Sequence, residues 1–404
     1  MTPTIAIVPW GDVIEDYLEP IGLTAFDFAE QVTGGWLFGY VAALRHAGWS
    51  PIIIAPSRAV GKVTRLTHAA SATPIWLVPG RSCQAVRSYN LRAIRQWLTV
   101  PTAAFREIIA RERCRALLIQ EYEYARFDVL VRLAASLGIP AYATFQGGDH
   151  TLSATERRIR TRSIRRSAGL MIASSAERQR VRDAHRAPPP RVSAHPNPLD
   201  VDEWRAGPRD EARRSLGLGP GDFIAINHGR IDIRRKGLDV LLSAWSGAGL
   251  LVLIGSGQDR ERFAAMVAGR ADVRWIDSYT NDRPLLRRWL SAADIYVSAS
   301  RVEGMPVAPL EAMACGLPVV ATDAQGVSDI IGEDERNGGI LVARDDPAAL
   351  ASAIERLRED PELRRTLGQA ARAHVEGNFS IEAVGRALQA FLPPSAVPGG
   401  ARAE

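Results

Sequence analysis

Glu303 and Glu311 stand eight positions apart in VSASRVEGMPVAPLEAMACGLPVVATDAQGVSDII, residues 297–331. Between them run Gly304, Met305, Pro306, Val307 and Ala308, a bend rich in small residues that leads into a short helical pattern. Small side chains let backbone amides approach an anion closely. The first N–H groups of a helix are also unpaired, and its dipole favours negative charge there. This loop therefore suits a diphosphate. The two carboxylates also fit a plainer arrangement, one acid complementing the helix dipole and one ordinary exposed glutamate. The apolar runs on both sides, and the Ala-Cys-Gly-Leu-Pro-Val-Val stretch after Glu311, favour the ligand site.

The elements that would position these residues alternate between apolar strands and amphipathic helices, the pattern of βαβ units with parallel sheets. Strands are expected near Ile5–Val8, Ser50–Ala55, Ile75–Val78, Ala116–Ile119, Ala141–Phe145 and Leu170–Ala173, and the pattern restarts at Phe223–Asn227, Leu250–Ile254, Val273–Ile276, Ile295–Ser298 and Val319–Thr322. A breaker-rich stretch, residues 187–200, separates the two series. A chain of 404 residues accommodates two or three domains. Its 46% hydrophobic and 24% charged content is that of a soluble globular protein. No apolar run reaches the roughly 20 residues of a membrane span. The start, MTPTIAIVPWGD, lacks the basic n-region of a signal peptide. Cys83, Cys114 and Cys315 fall in no metal or redox spacing, which points to the reducing cytoplasm.

The paired glutamates, their flanking strands and the two-part layout resemble retaining GT-B glycosyltransferases of family 4 (glycosyl transferases group 1), over nearly the whole chain. The resemblance implies an α/β GT-B fold, two Rossmann-like domains facing each other across an interdomain cleft. The domains would be residues 1–196 on the acceptor side and 197–376 on the nucleotide-sugar side, with a helix at 377–392 packing back on the first and a disordered tail at 393–404. His195-Pro-Asn-Pro-Leu-Asp200 is similar to the family's interdomain linker. The implied activity is metal-independent, retaining transfer of a sugar from a UDP- or GDP-type nucleotide sugar to an acceptor hydroxyl of a glycan, lipid or small molecule. The nucleotide sugar is a co-substrate, and no cofactor is implied. A GT-B nucleotide-sugar epimerase and a non-catalytic sugar-nucleotide-binding protein are the alternatives.

In that family the second glutamate binds the donor ribose hydroxyls, a task suited to a carboxylate, which only accepts hydrogen bonds. The resemblance gives this role to Glu311 and sets Glu303 facing the sugar. HGRIDIRRKG, residues 228–237, resembles the Gly-Arg…Lys-Gly element whose cations, here Arg230 and Lys236, grip the diphosphate. Such fixed cations stabilise charge on a leaving nucleoside diphosphate. Among 50 basic residues only Lys62 and Lys236 are lysine. Gly255 belongs to a Gly-Ser-Gly turn after a strand, and Tyr279 lies in the base-binding region, where it either stacks or simply packs. Gly34 and Gly35 resemble the loop that closes on donor phosphates and acceptor.

Gln146 occupies a position where many relatives carry histidine, close to the transferred sugar. An amide cannot act as a base but can bond a sugar hydroxyl. Asp149 is the catalytic candidate nearby, and His150 is either a sugar contact or a helix-start residue. Glu121 matches a loop that can also face the acceptor. Asp200-Val-Asp202 spells a D-x-D but falls in the linker match, so no metal is expected.

Two charge biases remain. Residues 12–30 hold six acids and no base, a solvated acidic lid or a contact for a cationic or polyhydroxylated acceptor. Residues 156–191 hold eleven arginines. In an arginine-biased chain this is a solvated surface; the resemblance adds a peripheral contact of the 157–191 region with an anionic membrane at the inner face. No nucleic-acid recognition fold accompanies it.

Overall fold

The computed structural model describes residues 2–33, 35–86, 88–147, 152–186, 191–278 and 282–392. The chain divides into two compact units, Met1–Pro196 with Val384–Glu404, and Asn197–Ala383.

The first unit is built on β1 (Thr4–Val8), β2 (Ser50–Ser57), β3 (Thr64–Thr67), β4 (Pro74–Pro79), β5 (Cys114–Gln120), β6 (Ala141–Thr144), β7 (Gly169–Met171) and β8 (Val192–Ser193). They lie in the order β3-β4-β2-β1-β5-β6-β7-β8. Every neighbouring pair is parallel except β3 with β4. Strands covered on both faces must be apolar throughout, and β1, β2, β4 and β5 are buried over nearly all their length. β3, Thr-Arg-Leu-Thr, alternates half-buried and exposed side chains because it is the edge. That polarity hides it from a search for apolar runs.

The second unit holds β9 (Ile224–His228), β10 (Leu250–Ile254), β11 (Val273–Ile276), β12 (Ile295–Ser298), β13 (Val319–Thr322) and β14 (Gly339–Val342). Its order is β11-β10-β9-β12-β13-β14, all parallel. This is the doubly wound order 3-2-1-4-5-6, in which strand addition reverses between the first and fourth strands. The first unit has the same order once β3 and the short β8 are set aside. Crevices at such a reversal open outside the carboxyl ends of the strands. They fall between β1 and β5 in one unit and between β9 and β12 in the other.

The last helix, Ile381–Phe391, starts in the second unit, and from Val384 on its residues belong to the first. Trp49 Nε1 donates to the Leu392 carbonyl at 2.9 Å. The Phe391 ring sits 4.8 Å from that of His195 and 5.8 Å from that of Tyr142. The end of the chain thus completes the core of the first unit.

Candidate active site

Four strand-end loops of the second unit meet at the β9/β12 reversal. After β9 the chain turns through Gly229 and Arg230. Asp232 then caps the short helix Ile233–Lys236, accepting from the Arg235 amide at 2.9 Å. After β12, Arg301 ties this loop to its own. Its amide donates to the Arg235 carbonyl at 2.8 Å, and its guanidinium bonds both oxygens of Asp239 at 2.8 Å. The β10 loop presses on the β9 loop at Gly255, where φ is +151° and a Cβ would lie 1.8 Å from the Gly229 carbonyl oxygen. The β13 loop does likewise at Gly326, where φ is +80° and a Cβ would lie 1.9 Å from the Gly304 carbonyl oxygen. Only glycine fits either place.

Within this frame Lys236 Nζ meets Glu303 Oε1 at 2.6 Å. The Ser300 hydroxyl donates to the same oxygen at 2.7 Å, and the Ser300 carbonyl accepts from Thr322 Oγ1 at 2.6 Å. Glu303 is thereby fixed from two sides, with its side chain 11% exposed. Its observed partner is the lysine expected to hold phosphate. Arg230 is exposed, with no ion-pair partner among the described residues.

Gly304, Met305 and Pro306 are buried and lead into the helix Val307–Ala314. Four helices of this unit are capped by the side chain of an N-cap aspartate, Asp232, Asp282, Asp346 and Asp360. The helix Val307–Ala314 has Pro306 there, no side-chain cap and no acid in its first turn. Its first amides, on Val307 and Ala308, are left for another acceptor. One turn on, Glu311 Oε2 meets His228 Nε2 at 2.7 Å. Cations, free helix amides and a held carboxylate therefore converge, an arrangement that can grip a polyanion and a diol together.

No sequence motif marks His228, Ser300, Arg301 or Thr322. The first three were visible as polar residues breaking apolar strand ends, but their partners lie too far along the chain to be read. Gly255 also takes a hydrogen bond from Trp275 Nε1 to its carbonyl, at 2.9 Å.

In the first unit, Glu121 and Gln146 follow β5 and β6 and bond each other. The Gln146 amide donates to Glu121 Oε2 at 2.9 Å, and Gln146 Nε2 donates to Thr144 Oγ1 at 3.0 Å. Glu121 is buried and adopts φ +81°, a conformation that costs a non-glycine residue on the order of 1–3 kcal/mol. Burial, reinforced by the charge of Glu123, pushes its carboxyl up to about 8. Gly35 opens the helix Gly35–His46. Gly34, Asp149, His150 and Tyr279 lie outside the described residues.

Two charge readings need correction. The acidic stretch after β1 is solvated only in part, with Glu19 and Glu30 exposed and Asp12 and Glu15 held by hydrogen bonds. Asp12 accepts from the Cys83 amide at 3.1 Å and from Gln96 Nε2 at 2.8 Å, and burial raises its carboxyl above the usual range. Glu15 is 4% exposed and accepts from Ser57 and from the Arg58 and Ala59 amides. The arginine-rich stretch is partly internal too. Arg160 is buried against Asp128 at 3.0 Å, and Arg180 pairs with Glu123 and Glu177. Arg157, Arg158, Arg162, Arg165 and Arg166 remain exposed. In the linker, Asp200 Oδ1 accepts from the Asp202 and Glu203 amides, a turn-capping role.

Two Rossmann-like α/β units in this order define the GT-B class. Sucrose-phosphate synthase from Thermosynechococcus elongatus superposes with a TM-score of 0.76 at 21% identity, over 96% of this chain and 98% of that one. Anabaena HepE, solved with UDP-glucose, superposes at 0.71 with 16% identity, over 96% and 99%. A D-inositol 3-phosphate glycosyltransferase from Catenulispora acidiphila is 30% identical over 293 residues, 67% of this chain and 68% of the relative. The family model described as "Glycosyl transferases group 1" matches residues 222–360, which contain every second-unit site residue above. The chain belongs to the group 1 glycosyl transferases, and it is a glycosyltransferase.

Proposed function

We propose that the protein transfers a sugar, with retention and without a metal ion, from a nucleotide sugar held by the second unit to an acceptor hydroxyl. The observation that carries this reading is Lys236 paired with Glu303, next to the uncapped amides of Val307 and Ala308 and to Glu311 one turn on, with Arg230 on the same strand-end loop as Lys236. The diphosphate lies against the cations and the helix start, Glu311 holds the ribose, and Glu303, kept in place by Ser300 and Lys236, faces the sugar. HepE, a protein of this fold, binds UDP-glucose, which supports a donor of the same kind.

During transfer the bond from the sugar C1 to the phosphate oxygen breaks and the acceptor oxygen bonds to C1. On the same-face route, the departing phosphate oxygen takes the acceptor proton. Lys236 and Arg230 stabilise the charge that grows on that phosphate, a task a divalent ion would otherwise perform. Gln146, oriented through its amide by Glu121, offers a side-chain amide to a sugar hydroxyl. Asp149 and His150, which follow Gln146 in the sequence, are proposed as further acceptor contacts on the family resemblance. A peripheral contact with anionic membrane is part of the reading. It is supported by the five exposed arginines of the helix Ala154–Arg166 and by exposed Leu91, Ile94 and Leu98 on the helix Tyr89–Thr99. A cytoplasmic location, with that contact at the inner face, is part of the same proposal and is supported by three cysteines in no metal or redox spacing; no described helix is long and apolar enough to cross a membrane.

The test is product analysis by NMR with a panel of sugar nucleotides and acceptors, with and without EDTA. Expected is a glycoside whose anomeric configuration matches the donor, formed at the same rate with chelator. An inverted product overturns retention, loss of turnover with EDTA overturns metal independence, and acceptor-independent conversion of the sugar nucleotide indicates an epimerase.

A further inference from the structure

His228 closes β9, a strand that is otherwise apolar except for Asn227, and it points into the site without any assigned part in it. Its Nε2 lies 2.7 Å from Glu311 Oε2, so that nitrogen carries the hydrogen and donates. Its Nδ1 is buried and has no hydrogen-bond partner among the described residues. Buried polar atoms are nearly always paired, so an imidazole kept here for packing alone leaves an unmet acceptor that an apolar side chain would avoid. The ring is nevertheless held firmly. It meets the Tyr296 ring edge-on at 5.4 Å, and the Tyr296 hydroxyl donates to the His228 carbonyl at 3.3 Å. Glu311 takes no ion pair from lysine or arginine among the described residues. His228 is the partner that fixes its carboxylate.

We propose that His228 is a positioning residue for ribose recognition; the inference rests on the donor-site reading of Glu311. The Nε2–H holds Oε2 of Glu311, so that Oε1 is presented in one orientation to the ribose hydroxyls. A free glutamate on the first turns of a helix samples several rotamers, and each bond to a diol must then also fix the side chain. Held by His228, the carboxylate is preorganised, and discrimination between ribose and deoxyribose rises with it. The imidazole acts through Glu311, not on the sugar.

The experiment is calorimetric titration of UDP, GDP and ADP, each against its 2′-deoxy counterpart, into the wild type, H228A, H228F, H228Q, E311A and the double variant H228A/E311A. Thermal unfolding without nucleotide checks that each folds. In H228A and H228F the ribonucleotide is expected to bind about tenfold more weakly, with little change for the deoxynucleotide. H228Q, whose amide can donate from the Nε2 side, restores part of the preference. The double variant binds no more weakly than E311A, because one residue works through the other. Full ribose preference in H228A and H228F, with E311A impaired, overturns this proposal alone, as does full additivity in the double variant. Full preference in E311A removes the ribose role of Glu311 and, with it, this inference.

Discussion

Lys236 and Glu303 form an ion pair at 2.6 Å, so under the proposed function each changes partner when a donor binds. A diphosphate would compete for the ammonium and leave Glu303 to the sugar. Lys236→Ala is expected to lower turnover roughly a hundredfold or more, as loss of a group that stabilises transition-state charge does. Glu303→Gln keeps the size and the Ser300 contact but removes the charge, and a comparable loss of kcat is expected with the fold intact by circular dichroism. Wild-type turnover in either variant would count against the assigned roles. Two histidines give the first unit a pH dependence. Burial first, and then neighbouring arginines, push both His185 and His195 down to about 4. Each stays neutral in the folded chain while the unfolded chain takes a proton below about 6.5. Their contribution to stability is therefore constant above that value and falls as pH drops from about 6.5 towards 4, by up to about 2 kcal/mol per histidine at pH 5. His185→Gln should flatten part of that fall, measured as Tm at pH 7.5 against pH 5. An unchanged slope would mean His185 titrates normally.

At the scale of elements, the site depends on loops that approach within contact distance of one another. Gly255→Ala and Gly326→Ala each set a Cβ against a carbonyl oxygen, at 1.8 and 1.9 Å, in a backbone conformation alanine disfavours. Each should cost at least about 2 kcal/mol in chemical denaturation and weaken nucleotide binding in what remains folded. Unchanged stability would show that these loops can spread apart. Such elements were legible where the chemistry is local. The β12–β13 segment announces itself because two fully buried strands must be apolar and the bend between them must be small. β3 was not legible because its edge position makes it half polar, and β14 because Gly338 and Gly339 introduce only three apolar residues. The His228–Glu311 bond joins residues 83 positions apart and leaves no periodic trace. Nor does the left-handed backbone of Glu121, since nothing about a glutamate marks φ +81°.

For the whole molecule, the 3-2-1-4-5-6 order recurs in both units, and the proposed function assigns the donor to the crevice of the second sheet and the acceptor to loops of the first. The proposed contact with an anionic bilayer would run through the exposed arginines of 157–166 and exposed Leu91, Ile94 and Leu98, all in the first unit. Co-flotation with phosphatidylglycerol vesicles, lost with phosphatidylcholine and in Leu91→Glu/Leu98→Glu, is the expected result. Flotation that ignores lipid charge would contradict it. The central claim is that the β9/β12 reversal holds a nucleoside diphosphate. Thermal unfolding of the wild type, K236A and E311A with UDP, GDP and ADP tests it most directly. A ligand at a hundred times its Kd stabilises the native state by about 2.7 kcal/mol. One nucleotide should raise the Tm of the wild type by a few degrees, and that shift should shrink or vanish in both variants. No shift with any nucleotide, or a shift that survives both substitutions, would contradict it.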